Sequence, residues 1–356
     1  MTENPMCEGM SRYRQFLAIV AIAAGVSISC TRTPPEPGAS RDATANAGNA
    51  SVRAETAQLD AETGVENLEN VDQDDAPQSL LGKPLLPMQD GASRREFEDK
   101  LAAAQTAYGA NPDDLEAYIW VGRRLGYLWR MQEAIDWYSR GLEKWPDEPR
   151  LLRHRGHRYL SLRKFDAALA DFERAAALVE GRPDEIEQDG LPNAQNIPLT
   201  TLGFNIWYHI GVARFCKADF DGAVAAFEKS KEFINDHDDN RVAVSDWLYM
   251  ALRRTGRDDE AKALLTDITR DMNIIENDSY HQRLLMYKGE IPPASLLDTD
   301  NATDLELATQ GFGVGHWHLL EGRKTEASQV FEKVVAGKSW PAFGFIAAEA
   351  ELARRK

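Results

Sequence analysis

Four stretches of this 356-residue chain carry the same three-point pattern, and that repetition constrains the fold more than any other feature. AYIWVGRRLGYLWRMQEAIDWYSRGL begins at Ala117, RLLRHRGHRYLSLRKFDAALADFERAAAL at Arg150, NIWYHIGVARFCKADFDGAVAAFEKS at Asn205 and GFGVGHWHLLEGRKTEASQVFEKVV at Gly311. In each, a glycine (Gly122, Gly156, Gly211, Gly315) is followed twelve residues later by an alanine (Ala134, Ala168, Ala223, Ala327). Four residues further on stands an aromatic: Tyr138, Phe172, Phe227 or Phe331. The first two glycines are 34 residues apart, as are Pro112 and Pro146. A fixed period of this size points to a repeat architecture. The small residues let two helices approach closely, and the aromatic fills the space beneath the next repeat. Proline ends the second helix, because it cannot continue one.

This pattern resembles the tetratricopeptide repeat. The resemblance implies an all-α fold, a right-handed superhelix (α-solenoid) of antiparallel helix pairs. Within an array over 86–356, repeats are expected at about 115–148, 149–182, 204–237, 242–275 and 308–341. A degenerate unit falls at 276–307, where Pro292 and Pro293 restrict the second helix. A terminal helix is expected at 341–355, its charged tail suiting a cap that faces solvent. One spacing is irregular: 55 residues separate Gly156 from Gly211, one repeat plus 21. The extra segment, 182–203, holds Pro183, Pro192 and Pro198 and reads as loop. It is either a tolerated surface insertion or a functional element folded across the array.

The N-terminus reads as a targeting segment. Arg12 and Arg14 precede FLAIVAIAAGVSIS, an uncharged run shorter than the roughly 20 residues a membrane span needs. The run ends at Ser29-Cys30, which resembles a bacterial lipoprotein signal, so 1–29 is expected to be removed and Cys30 lipidated. Ser27 departs from the leucine usual at that place, and ordinary secretion or a periplasmic location is the alternative. The absence of aspartate after Cys30 favours the outer membrane in a Gram-negative host. Residues 31–90 hold 11 acidic and 4 basic residues and no aromatic, too little apolar surface to offset ordering, so 30–85 reads as a lipidated cysteine followed by a disordered acidic tether. The three cysteines, Cys7, Cys30 and Cys216, form no disulfide framework.

Net charge is −16, which argues against a nucleic-acid partner. No motif for nucleophilic, phosphate-binding or metal-dependent catalysis is present. His154 and His157 share part of a helix face but lack further ligands nearby, so no metal or other cofactor is expected. By analogy with the resembling family, first helices of successive repeats would line a groove containing Arg123, Tyr127, Arg153, His157, Tyr208, Phe215, Arg253, Phe312 and His316. A mixed basic and aromatic groove suits a protein or peptide partner, acidic segments among them. The expectation is therefore a non-catalytic, membrane-anchored scaffold of the bacterial cell envelope. One alternative is a ligand receptor or enzyme with a pocket formed by the 182–203 insertion with His209 and Arg153; a closed pocket of roughly 300 Å3 or more, lined by the insertion and converging polar groups, would favour it, an open groove the scaffold. Another is a self-associating envelope protein using Phe343 and Phe345. Within LLRHRGHRYL (151–160), Arg153 and His157 are expected to face the groove and Arg158 to face away. Arg155 needs a carboxylate if buried, with Asp184, Glu185 and Glu187 as candidates.

Overall fold

A computed structural model describes residues 76–355, except Asp90, Leu191, Asp236 and 298–302. The signal, Cys30 and most of the tether lie outside the described residues. The described chain forms an α-solenoid of antiparallel helix pairs, with no strands and two isolated β-bridges, Gln78–Pro84 and Ile186–Thr201. A leading helix α1 (Ala92–Ala110) precedes the pairs α2 (Leu115–Tyr127) with α3 (Met131–Lys144) and α4 (Pro149–Ser161) with α5 (Phe165–Val179). After the insertion come α6 (Leu202–Cys216) with α7 (Phe220–Lys231), then α8 (Asp238–Arg254) with the short α9 (Asp258–Leu264). Helix α10 (Asp278–Tyr287) is followed only by a 3-10 turn at Pro293–Ser295, as the proline pair dictates. Helix α11 (Phe312–Leu320), preceded by a π-helical turn at Leu307–Gly311, pairs with α12 (Lys324–Ala336), and α13 (Phe343–Ala353) ends the fold.

Local chemistry starts these helices. Asp114 caps α2 by accepting from the Glu116 and Ala117 amides, and Thr201 caps α6 through Phe204. Pro149 opens α4, where its missing N–H costs nothing. Inside the pairs, each pattern glycine lies against the aromatic of its own repeat. A Cβ added at Gly122, Gly156, Gly211 or Gly315 would come within 2.4–2.7 Å of Tyr138, Phe172, Phe227 or Phe331 respectively. The four pattern alanines are fully buried beside them.

The face made by the first helices is not open. Helix α13 lies on it, packed against α6, α11, α12 and the π-helical turn. Every residue from Phe343 to Glu351 is buried. Phe343 sits among His157, His209 and Tyr208, at ring-centroid distances of 5.3, 5.3 and 6.4 Å. Arg163 pairs with Glu349 at 2.6 Å, and Arg254 and Arg354 both hold Glu351. The expectation of a solvent-facing cap is thus corrected: α13 is apolar on nearly all sides, so it is a core element rather than an amphipathic lid. Phe343 and Phe345, 3% and 5% exposed, are not available for self-association.

The two ends of the described chain also meet. Trp340 donates its indole N–H to Leu86 O at 2.8 Å, Lys83 reaches Val335 O at 3.0 Å, and Trp129 packs on Trp340. Trp129 and Arg163 occupy the left-handed residue after α2 and α4, where α8, α10 and α11 use Gly256, Gly289 and Gly322. A non-glycine residue there costs on the order of 1 kcal/mol. Both side chains hold the C-terminal segment: Arg163 also donates to Trp340 O at 3.1 Å.

Candidate functional site: a cationic pocket under the insertion

Four of the expected groove residues, Arg123, Tyr127, Arg153 and His157, line one small cavity of about 40 Å3. Its wall is completed by Tyr138, His154, Arg158 and Asn205, and its cover by Thr200 and residues 187–190 of the insertion. The insertion therefore packs over the array and lines this cavity. It is clamped at its base by the Ile186–Thr201 bridge, with Glu187 N–H donating to Thr200 O and Leu202 N–H to Glu185 O. Its tip is tied down by arginines of α2. Arg123 donates to Gln188 O at 2.8 Å and Arg124 to Gly190 O at 3.0 Å. Gly190 permits this approach: a Cβ there would fall 1.8 Å from the Tyr127 hydroxyl.

Charge inside the pocket is unevenly matched. Glu187 pairs with Arg153 at 3.2 Å and accepts from Asn205 Nδ2 at 3.0 Å. Arg158, 6% exposed, reaches no carboxylate among the described residues. It donates to His157 Nδ1 at 2.8 Å and weakly to Met131 Sδ at 3.8 Å, and its Nε has no partner. A guanidinium only donates, so His157 carries its proton on Nε2. Arg153 likewise donates to His154 Nδ1 at 2.9 Å. Burial, then the nearby arginines, pushes His154 well below the usual histidine range; burial, then Arg158 and His209, does so for His157. Burial likewise pushes Arg158 down to about 10. On the insertion, burial raises Asp189 to about 6, opposed by Arg123.

Several expectations are corrected here. Arg158 faces inward, because Gly126 on α2 leaves room for it; a Cβ at Gly126 would meet Arg158 Nη1 at 2.1 Å. His154, expected as a surface or interface histidine, is buried. Arg155 does not use the insertion's carboxylates. It grips Asp171 of α5 with two bonds of 2.7 Å and donates to Ser139 Oγ at 3.0 Å. Tyr208, Phe215, Phe312 and His316 are fully buried core residues, so they line no open groove. Arg253 lies elsewhere, bridging Asp258 and Glu321 at the edge of an open cleft of about 700 Å3 beside the shortened α9. Sequence reasoning missed Arg158 and Glu187 as site residues. The extra glycine at 126, four after the pattern glycine, was the available signal.

Among the described residues, no three His, Cys, Asp or Glu side chains are placed to hold a metal ion. Cys216 is buried, which raises its thiol to about 12 and leaves it protonated.

No protein-family model and no curated protein matches this chain. Among solved structures, it is similar to the crystal structure of YrrB, described as a TPR protein with an unusual peptide-binding site, at 15% identity and a TM-score of 0.37, over 66% of this chain and 91% of that one. It is also similar to a tetratricopeptide repeat protein from Parabacteroides merdae ATCC 43184, at 16% identity and a TM-score of 0.40, over 73% and 100% of the two chains. Likeness at this level carries no functional argument.

Proposed function

We propose that the protein is a non-catalytic binding module, tethered to a bacterial envelope membrane by lipid on Cys30, whose recognition site is the pocket under the insertion and whose ligand is anionic. The observation that carries this reading is Arg158, a buried guanidinium with no carboxylate partner among the described residues, on the wall of a cavity shared with Arg123 and Arg153. Burying a charge without a counter-charge is costly, and an anionic ligand offsets that cost. The pocket's groups suit holding rather than reacting: arginines that stay protonated, and histidines kept neutral by burial. No helix among the described residues is long and apolar enough to cross a membrane, and the tether is assigned to the lipidated N-terminus.

A second reading is a scaffold for an acidic protein or peptide segment on the first-helix face. The observation favouring it is α13 itself, held there through Phe343 and through Glu349 and Glu351 on arginines. A partner segment of the same chemistry would have to displace it.

Native mass spectrometry of the full chain, extracted from membranes in mild detergent, tests both parts beside Cys30→Ser and Arg153→Gln/Arg158→Gln chains. The expected result is membrane-bound wild type carrying an anionic adduct, soluble Cys30→Ser, and no adduct on the double variant. An adduct-free wild type, or one retained by the double variant, contradicts the pocket assignment. Membrane-bound Cys30→Ser contradicts the tether.

A further inference from the structure

We propose that the pocket seats a small, freely diffusing oxyanion of the phosphate class, held by Arg153 and Arg158 and covered by the insertion. This rests on the pocket being the recognition site and adds the chemical class of its ligand. Three observations converge. The first is charge: Arg123, Arg153 and Arg158 face two carboxylates, Glu187 and Asp189, so a positive charge is left over even with both acids ionised. The second is donor direction. Nε of Arg153 and Nε of Arg158 are buried without a hydrogen-bond partner, although Glu187 lies 3.2 Å from the former. These donors come from α4 and Arg123 from the facing α2, whereas Asn205 Nδ2 of α6 is taken up by Glu187 and Thr200. Guanidinium groups on two helices suit an oxyanion, which they bind with paired, charge-assisted hydrogen bonds.

The third is size and access. About 40 Å3 holds about three water molecules by volume, the scale of one small oxyanion. The cover is backbone, fastened to Arg123 and Arg124 through Gln188 O and Gly190 O. A cavity of about 40 Å3 has little room for a chain attached to the oxyanion, whereas a free ion fits within it. A free phosphate and a phosphate monoester share the recognised group but differ in this respect.

The test is calorimetric titration of the detergent-solubilised full chain with inorganic phosphate, sulfate, glycerol 1-phosphate and sodium chloride at matched ionic strength. Phosphate is expected to bind one to one. Binding should weaken at least about tenfold in Arg153→Gln and in Arg158→Leu, which remove a charge-assisted contact. Glycerol 1-phosphate should bind at least about tenfold more weakly than phosphate, because the small cavity has no room for its tail. A thermal-unfolding arm separates ligand binding from a structural role. Without phosphate, Arg158→Leu should melt at or above the wild-type temperature, since it removes an unmatched buried charge. With about 10 mM phosphate, the wild-type midpoint should rise and that of Arg158→Leu should not. No phosphate heat beyond that of chloride overturns the proposal, as does equal affinity for the monoester. An Arg158→Leu midpoint that falls well below wild type yet rises equally with phosphate also overturns it. If phosphate fails while native mass spectrometry still finds a different anion lost in the double variant, the recognition site stands and only this assignment of its ligand fails.

Discussion

Replacing Phe343 with alanine is expected to lower the free energy of unfolding by about 3–5 kcal/mol, the usual cost of emptying a buried aromatic site. Phe343 is 3% exposed and contacts rings from α4 and α6, so its loss opens a cavity between α13 and the face it covers. Neighbouring groups have little freedom to collapse into the space. His157 is fixed by Arg158, and His209 by its bond to Asn205 O. Urea unfolding of the two full chains at neutral pH measures the difference. A change below about 1 kcal/mol would mean that α13 is not packed on this face, since small effects are typical of surface positions.

The second large effect is a pH dependence centred on Glu276. This residue is 5% exposed, and its Oε2 has no hydrogen-bond partner. Burial, reinforced by repulsion from Asp189 and Asp239, raises its carboxyl to about 8. A carboxyl raised in the folded state binds its proton more tightly there than in the unfolded chain. Its contribution is therefore fully present below about pH 4.5 and is lost as pH rises toward 8. The size of the shift corresponds to about 3–5 kcal/mol across that window. Glu276→Gln keeps the shape of the protonated group but cannot ionise. The variant is expected to match wild type at pH 5 and to exceed it in stability at pH 8.5 by several kcal/mol, as read from urea midpoints at each pH. The histidines titrate in both chains and drop out of the difference. Parallel stability curves would show that Glu276 is not buried as a neutral acid.

Much of the architecture was legible in the sequence because the pattern residues do the same job in every copy. Gly122, Gly156, Gly211 and Gly315 each receive an aromatic from the paired helix, and that contact recurs at one spacing whatever the surroundings. Pro292 and Pro293 likewise announced a restricted second helix, seen as the turn Pro293–Ser295. What could not be read from local spacing were contacts between distant parts of the chain. Helix α13 was assigned to solvent because its last residues are charged, yet Arg354 reaches Glu351 and the Cys216 carbonyl. Position-by-position assignment of the first helices placed Arg123, Arg153 and His157 together on one face. It could not show that Tyr208, Phe215, Phe312 and His316 were covered, because what covers that face lies far along the chain. The partner of Arg155 was sought in the neighbouring loop, whereas Asp171 stands sixteen residues on, across the helix pair. Arg158 was misassigned for a related reason: its direction depends on a glycine in a different repeat.

Hydrogen exchange of the full chain, read by mass spectrometry, tests most directly the claim that the protein fills its own first-helix face and leaves recognition to the insertion-covered pocket. The account predicts that amides from residue 347 to residue 351 exchange as slowly as those in the middle of α6, because both belong to one buried unit. Exchange of α13 within seconds, as for a frayed terminus, would leave the face open and contradict the account.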